Sequence, residues 1–224
     1  MSRAVLFDFG GTLDADGVPW KERIARLYRA EGVALPPDRF DRAFYQADDA
    51  LVGAVPITLS LRDTVFALVR GLARGLELSD VALSDRVAAR FLSDALDKLR
   101  DNAPTLAELG TRYQLGIVSN FYGNLETVCA ETGIRRFFGA IVDSARVGCK
   151  KPDPRIFRCA VEALGVQPGE ATFVGDSPSR DMAGARAVGM PHIWLSAGPP
   201  SPEGPCCPGD QVCESVKALT GLLP

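Results

Sequence analysis

Apolar and polar positions follow two different rhythms along this chain. Residues 4–7, Ala-Val-Leu-Phe, form an unbroken apolar run that stops at Asp8, the pattern of a strand buried on both faces. From about 16 to 97 the apolar residues instead recur every three or four positions, with no strand-like stretch between them. Ile24, Leu27 and Tyr28 share one face, and Phe40, Phe44, Ala47 and Leu51 share another. Val65, Leu68, Val69 and Leu72 make a third face, and Val87, Phe91, Ala95 and Leu99 a fourth. Loop signals at Leu35-Pro36-Pro37-Asp38, near 53–56 and at Ser79-Asp80 separate these faces, so the segment predicts a small bundle of four amphipathic helices.

Beyond Asn102 the rhythm becomes that of strands alternating with helices. The pattern predicts strands at 113–119, 140–143, 171–175 and 192–195, and helices at 123–132, 153–164 and 180–188. A loop rich in proline and glycine, 198–209, then leads to a predicted terminal helix at 211–223. Such alternation implies an α/β class with a doubly wound, Rossmann-like parallel sheet. The expected organisation is a core of 1–14 and 98–224, with a small α-helical cap, 15–97, inserted after the first strand.

Composition adds bounds. The 224 residues suffice for one α/β domain and a smaller insert, and 46% apolar and 24% charged residues are ordinary for a globular chain. A net charge of -3 gives no electrostatic reason to expect nucleic acid or an anionic membrane as partner. No run of about 18–20 apolar residues is present to span a bilayer, and the first strand follows the initial Met directly, so a cytoplasmic location is expected. Oligomeric state is open between monomer and homodimer. Six cysteines are present. The adjacent Cys206-Cys207 with Cys213 is poorly spaced for tetrahedral zinc and has no histidine nearby, so free thiols are expected there.

The chemistry-bearing residues lie at predicted strand ends. Asp8 closes the first strand and is followed by Phe9-Gly10-Gly11-Thr12-Leu13, where paired glycines allow a sharp turn. In open α/β sheets ligands bind beyond the carboxyl ends of the strands. Val118-Ser119-Asn120 ends a second strand, Lys151-Pro152-Asp153-Pro154 precedes a helix, and Gly175-Asp176-Ser177 ends another strand with Asp181 five residues after Asp176. In this order and context the four segments resemble the haloacid dehalogenase superfamily of hydrolases, over nearly the whole chain. The helical insert resembles that of the subgroup capped at this point.

The resemblance implies roles. Asp8 is the expected nucleophile, attacking phosphorus to give an aspartyl-phosphate that water cleaves. Asp8, Asp176 and Asp181, with the Gly10 carbonyl, are the expected ligands of Mg²⁺. Ser119, with the Asn120 N–H beside it, is expected to grip phosphate. Lys151 offsets charge on nucleophile and phosphoryl oxygens, and Thr12 orients the loop and borders the substrate. Lys150 is read as a solvated neighbour, Asp48-Asp49 as a solvated face, Trp20 as core and His192 as structural. The implied substrate is a small phosphorylated molecule.

One position departs from the family. Its phosphatases carry an aspartate at the place of Gly10, which protonates the leaving oxygen and later deprotonates water, worth roughly 10²–10⁴ in rate. Asp14 and Asp16 are close in sequence, but the turn is expected to aim them away. A Mg²⁺-dependent phosphatase is the leading expectation. The alternatives are carbon–halogen or carbon–phosphorus hydrolysis and a scaffold that binds phosphate or a partner. Dehalogenases of the family need no metal and resemble neither Gly10 nor Asp176 at those positions. Phosphonate cleavage needs a cap lysine for a Schiff base, and Lys21 alone is available there.

Overall fold

A computed structural model describes residues 2–196, 198 and 210–223. Six parallel strands form one sheet in the order β3-β2-β1-β4-β5-β6. They are β1 (Ala4–Phe7), β2 (Gln114–Ser119), β3 (Ala140–Asp143), β4 (Ala171–Gly175), β5 (His192–Leu195) and β6 (Gln211–Cys213). The expected α/β class and doubly wound parallel sheet are thus what the chain adopts. Phe7 lies level with Ile117 of β2 on one side and with Val174 of β4 on the other. After β1 the chain builds outward through β2 and β3, then returns to add β4 on the opposite side. The crevice at that reversal is where doubly wound sheets take ligands.

The sheet is buried on both faces, and residue parity divides its core. Val5 and Phe7 of β1, with Leu115 and Ile117 of β2, belong to one apolar cluster. Ala4 and Leu6 face the other way, toward Ile156, Phe157, Ala160 and Val161 of α7 (Pro154–Leu164) and Ala185 of α8 (Ala183–Ala187). The first cluster runs on without a break into the helices between β1 and β2. These are α1 (Trp20–Ala30), α2 (Pro37–Asp49), α3 (Leu61–Gly75) and α4 (Val81–Leu109). Ser60 and Asp80 cap α3 and α4 by accepting from the backbone N–H groups of Asp63 and Leu83.

Helix α4 is longer than the pattern suggests. Its 29 residues run past 97, where the core was expected to resume, and span about 43 Å at 1.5 Å per residue. Pro104 in its interior reads as a break, yet Leu99, Asn102, Leu106 and Leu109 keep the helical spacing and are all buried. Asn102 Nδ2 donates to the Leu13 carbonyl at 2.9 Å, so this helix braces the loop after β1.

The remaining helices are short: α5 (Leu125–Glu131), α6 (Ser144–Val147) and α9 (Leu219–Leu222). The terminal segment corrects the sequence reading. Instead of a helix from 211, Gln211–Cys213 is a strand whose Val212 pairs with Trp194, and only Leu219–Leu222 is α-helical. The open edge of β5 takes a strand partner, and three residues are too few for periodicity to separate the two states. Cys213 is a buried free thiol, its Sγ donating to the Ser215 carbonyl at 3.0 Å. Cys206, Cys207 and most of the loop 198–209 lie outside the described residues. Among the described residues no helix is long and apolar enough to cross a membrane.

Candidate active site

Three neighbouring strands deliver the polar residues to one place. Asp8 follows β1 and is fixed by its own N–H, which donates to the Val174 carbonyl at 2.9 Å. Ser119, the last residue of β2, donates its Oγ to Asp8 Oδ1 at 2.7 Å. Asp176 follows β4 on the other side of Asp8. The loop after Asp8 turns at Gly11, whose φ is 92°. A Cβ on Gly11 would stand 2.5 Å from Asp176 Oδ2, so only glycine permits both the turn and the approach. Thr12 is fully buried and donates to Asp176 Oδ1 at 3.2 Å. Its hydroxyl therefore braces the second carboxylate and does not reach the cavity described below.

The cation comes from a different loop. Asn120 clamps the Lys151 backbone at two points, its Oδ1 accepting from Lys151 N at 2.7 Å and its Nδ2 donating to Lys151 O at 3.1 Å. That clamp aims the Lys151 ammonium between two carboxylates, 2.7 Å from Asp8 Oδ1 and 2.7 Å from Asp181 Oδ1. Asp181 is turned back toward β4 because its Oδ2 accepts from Ser177 N at 3.0 Å. Burial works against the Lys151 charge, but Asp181 and Asp8 outweigh it and hold its pKa above the ordinary lysine value.

The carboxylates are crowded and dry. Burial first, then the charges of Asp8 and Asp181, push the Asp176 carboxyl well above the ordinary carboxylate range, against Lys151 and Arg180. Burial also raises Asp181, with the Lys151 charge opposing it. Oxygens of Asp8, Asp176 and Asp181 lie within 4.8 Å of one another. Asp176 Oδ2 is buried and has no hydrogen-bond partner among the described residues. An orphaned buried oxygen within an all-carboxylate donor set fits a hard divalent cation, which prefers oxygen ligands.

Residues 2–189 match the family described as haloacid dehalogenase-like hydrolase. The chain belongs to that family. Over 215 residues it is 34% identical to haloacid dehalogenase-like hydrolase domain-containing protein 3 of Mus musculus, covering 88% of this chain and 82% of that one. A phosphoserine phosphatase of Thermus thermophilus is 45% identical over 73 residues, 32% of this chain and 29% of that protein. Among solved structures, a HAD phosphatase from Thermococcus onnurineus superposes with a TM-score of 0.60 at 26% identity, covering 100% of this chain and 98% of that one. A dehalogenase with an intermediate complex reaches 0.69 at 24% identity over 99% and 97%, a likeness of fold.

A cavity of 890 Å³ opens over Asp8, lined on the core side by Ser119, Asn120, Lys150 and Lys151 and on the helical side by Trp20 and Asp48. Sequence reasoning placed Trp20 in the core, and the indole is indeed nearly buried, packed edge-on against Phe91 and Phe121. It also covers Gly10. A Cβ there would lie 3.1 Å from Trp20 Nε1 and 3.4 Å from Cδ1. The Gly10 backbone itself is unexceptional, with φ -77° and ψ 116°, so the residue is glycine because of its neighbour.

Asp14 completes the reason. It accepts from Gly11 N at 2.7 Å, from Trp20 Nε1 at 2.7 Å and from Arg23 Nη1 at 2.8 Å, and is almost wholly buried. Asp16 is equally committed, to Lys98 and to Val216 N. Neither is free to replace an acid at position 10, as the turn geometry led us to expect. Lys150 is exposed but borders the cavity beside Lys151. His192 starts β5 and pairs with Asp210 at 3.1 Å.

Asp48, read from sequence as part of a solvated face, is instead half-buried and accepts from Tyr122 OH at 2.5 Å. Tyr122 and Arg180 also line the cavity. Only the i, i+4 alignment of Phe44 and Asp48 on α2 pointed to such an inward position.

Filling the space above Gly10 should cost stability because Trp20 is held on both sides. Gly10→Ala is expected to lower the unfolding free energy by about 1–3 kcal/mol, the usual penalty of overpacking, in chemical denaturation. A midpoint equal to the parent's would mean the indole moves aside freely.

Proposed function

We propose that this chain is a Mg²⁺-dependent phosphatase acting on a small phosphorylated metabolite through an aspartyl-phosphate on Asp8. One observation carries the reading. Asp8 is tied by one oxygen to Ser119 and Lys151, faces a cavity, and is backed by two further buried carboxylates whose charge needs a cation. The names of the Thermus and Thermococcus relatives support it, since both are phosphatases.

The residues divide the work. Ser119 and Lys151 hold Oδ1 of Asp8, which fixes the carboxylate and leaves Oδ2 for attack on phosphorus. Lys151, kept charged by Asp8 and Asp181, also neutralises phosphoryl oxygens as they approach. Ser119 and the Asn120 N–H grip the phosphate. Asp8, Asp176, Asp181 and the Gly10 carbonyl would hold Mg²⁺, which when bound would supply Lewis-acid stabilisation of the transferred group. Residues 15–97 serve as a cap over the 1–14 and 98–224 core, and their wall of the cavity selects the substrate by shape.

The other chemistries of the family fit less well. Carbon–halogen hydrolysis has no use for a cation, yet Asp176 and Asp181 bring charge that a cation offsets. A Schiff base requires a neutral amine. Lys21 is paired with Asp41 at 2.6 Å, and that hydrogen bond overrides partial burial to raise its pKa.

Phosphate release from aryl, acyl and alkyl phosphates, measured with Mg²⁺ and with chelator, tests the reaction. Release is expected only with Mg²⁺. Asp8→Asn should abolish it while circular dichroism and melting stay those of the parent; undiminished turnover in that variant would refute the assignment.

Asp176→Asn gives an independent readout. In chelator the variant should be more stable than the parent, because the cost of holding a carboxyl in that dry, crowded site is removed. A raised folded-state pKa makes the parent's stability at Asp176 complete in acid. It declines as pH climbs from about 4 and is gone above the raised value. The gap between the two proteins should therefore widen from pH 5 to 8. Added Mg²⁺ should raise the melting temperature of the parent and not of the variant. An identical Mg²⁺ shift in both would place the ion elsewhere.

A further inference from the structure

A phosphatase with glycine at position 10 still needs a proton for its leaving oxygen, and the cavity narrows the choice. Among the described residues, the carboxyl groups that line it are those of Asp8, Asp48 and Asp49. Asp8 is the nucleophile and Asp49 is exposed to solvent. Asp14 and Asp16, the nearest acids in sequence, are spent on Trp20, Arg23, Lys98 and Val216. The single histidine of the chain pairs with Asp210 outside the cavity wall. No cysteine lines the cavity among the described residues.

Asp48 has the features a proton carrier needs. It sits in the last turn of α2, on the wall opposite the strand ends, and the described contacts engage only its Oδ1. Tyr122, whose hydroxyl donates to that oxygen, is itself only 5% exposed, so the carboxyl is held in one orientation. Tyr122 packs on Trp20, ring centroids 6.5 Å apart, and Trp20 lies over Gly10. The aromatic pair thus fills the ground between the position that lacks an acid and a carboxyl that is present.

We propose that Asp48 is the general acid and base of this enzyme, supplied from α2 in place of the side chain missing at Gly10. The assignment rests on the phosphatase reading above. In the first step an Asp8 oxygen forms a bond to phosphorus and the bond to the leaving oxygen breaks. That oxygen keeps the electron pair, takes the Asp48 proton and departs as an alcohol. In the second step water attacks the aspartyl-phosphate, Asp48 takes a proton from it, and the bond from phosphorus to Asp8 breaks. Inorganic phosphate leaves, and both aspartates return to their starting states. The surroundings suit a carboxyl that holds a proton. Burial raises its pKa and Asp49 adds to this, against the Tyr122 hydrogen bond and the charges of Arg180 and Lys150.

Leaving groups read the role directly. For p-nitrophenyl phosphate the phenolate departs without a proton, whereas ethyl phosphate cannot release its alkoxide unaided. The ratio kcat/KM reports only the steps through departure, so the later use of Asp48 as base does not blur it. In Asp48→Asn, kcat/KM for ethyl phosphate should fall about 100-fold or more, and for p-nitrophenyl phosphate by less than about 5-fold. Tyr122→Phe, which keeps the carboxyl and frees it to turn, should show the same bias at about 10-fold, and carries the test if the first variant does not fold. Equal losses on both substrates, or no loss on either, would overturn the role of Asp48 while leaving the phosphatase intact. A parent enzyme that releases phosphate from neither ester would instead overturn the phosphatase reading, and Asp48 with it.

Discussion

The ammonium of Lys151, pinned 2.7 Å from both Asp8 and Asp181, is the contact on which the centre depends. Three carboxylates would not share so small a buried volume without it, because each loses water and repels the others. A buried pair broken from one side typically costs 3–5 kcal/mol, roughly the scale at stake here, since the partner charge stays behind. The position of that ammonium is in turn set by polar contacts to backbone. Asn120 holds the lysine at N and O, and Ser177 N turns Asp181 toward it. The motif at the end of β2 therefore serves the third segment as much as any ligand.

The sheet explains why these segments meet. Asp8, Ser119 and Asp176 end adjacent parallel strands, and parallel strands share one carboxyl edge. Each arrives with its backbone already paid into the ladder, so little conformational freedom remains to be lost on binding. The helices between β1 and β2 add the opposite wall. Because α4 is continuous from that block to Leu109 and bonds the Leu13 carbonyl through Asn102, it ties that wall to the loop after β1.

Much of this was legible in the sequence, and the losses have physical causes. The sheet, the strand-end placement of Asp8, Ser119 and Asp176, and the four inserted helices follow from period and from turn residues alone. Helix α4 runs past the expected boundary at 97 because packing of Leu106 and Leu109 carries it through Pro104, where local propensity alone favours a break. Strand β6 was missed because three residues carry no periodic signal and their state is set by the vacant edge of β5. Asp48 was misread because a pair of aspartates at a helix end resembles a solvated face. Its burial depends on Tyr122, 74 residues away, which no local pattern reveals.

The stacking of Trp20 over Gly10 also bears on how such a sequence can change over time. A carboxylate at position 10 would need the indole to give way, and the indole also donates to Asp14 in a dry site. The glycine, the tryptophan and the buried aspartate are therefore coupled: a change at any one of them disturbs a contact made by another.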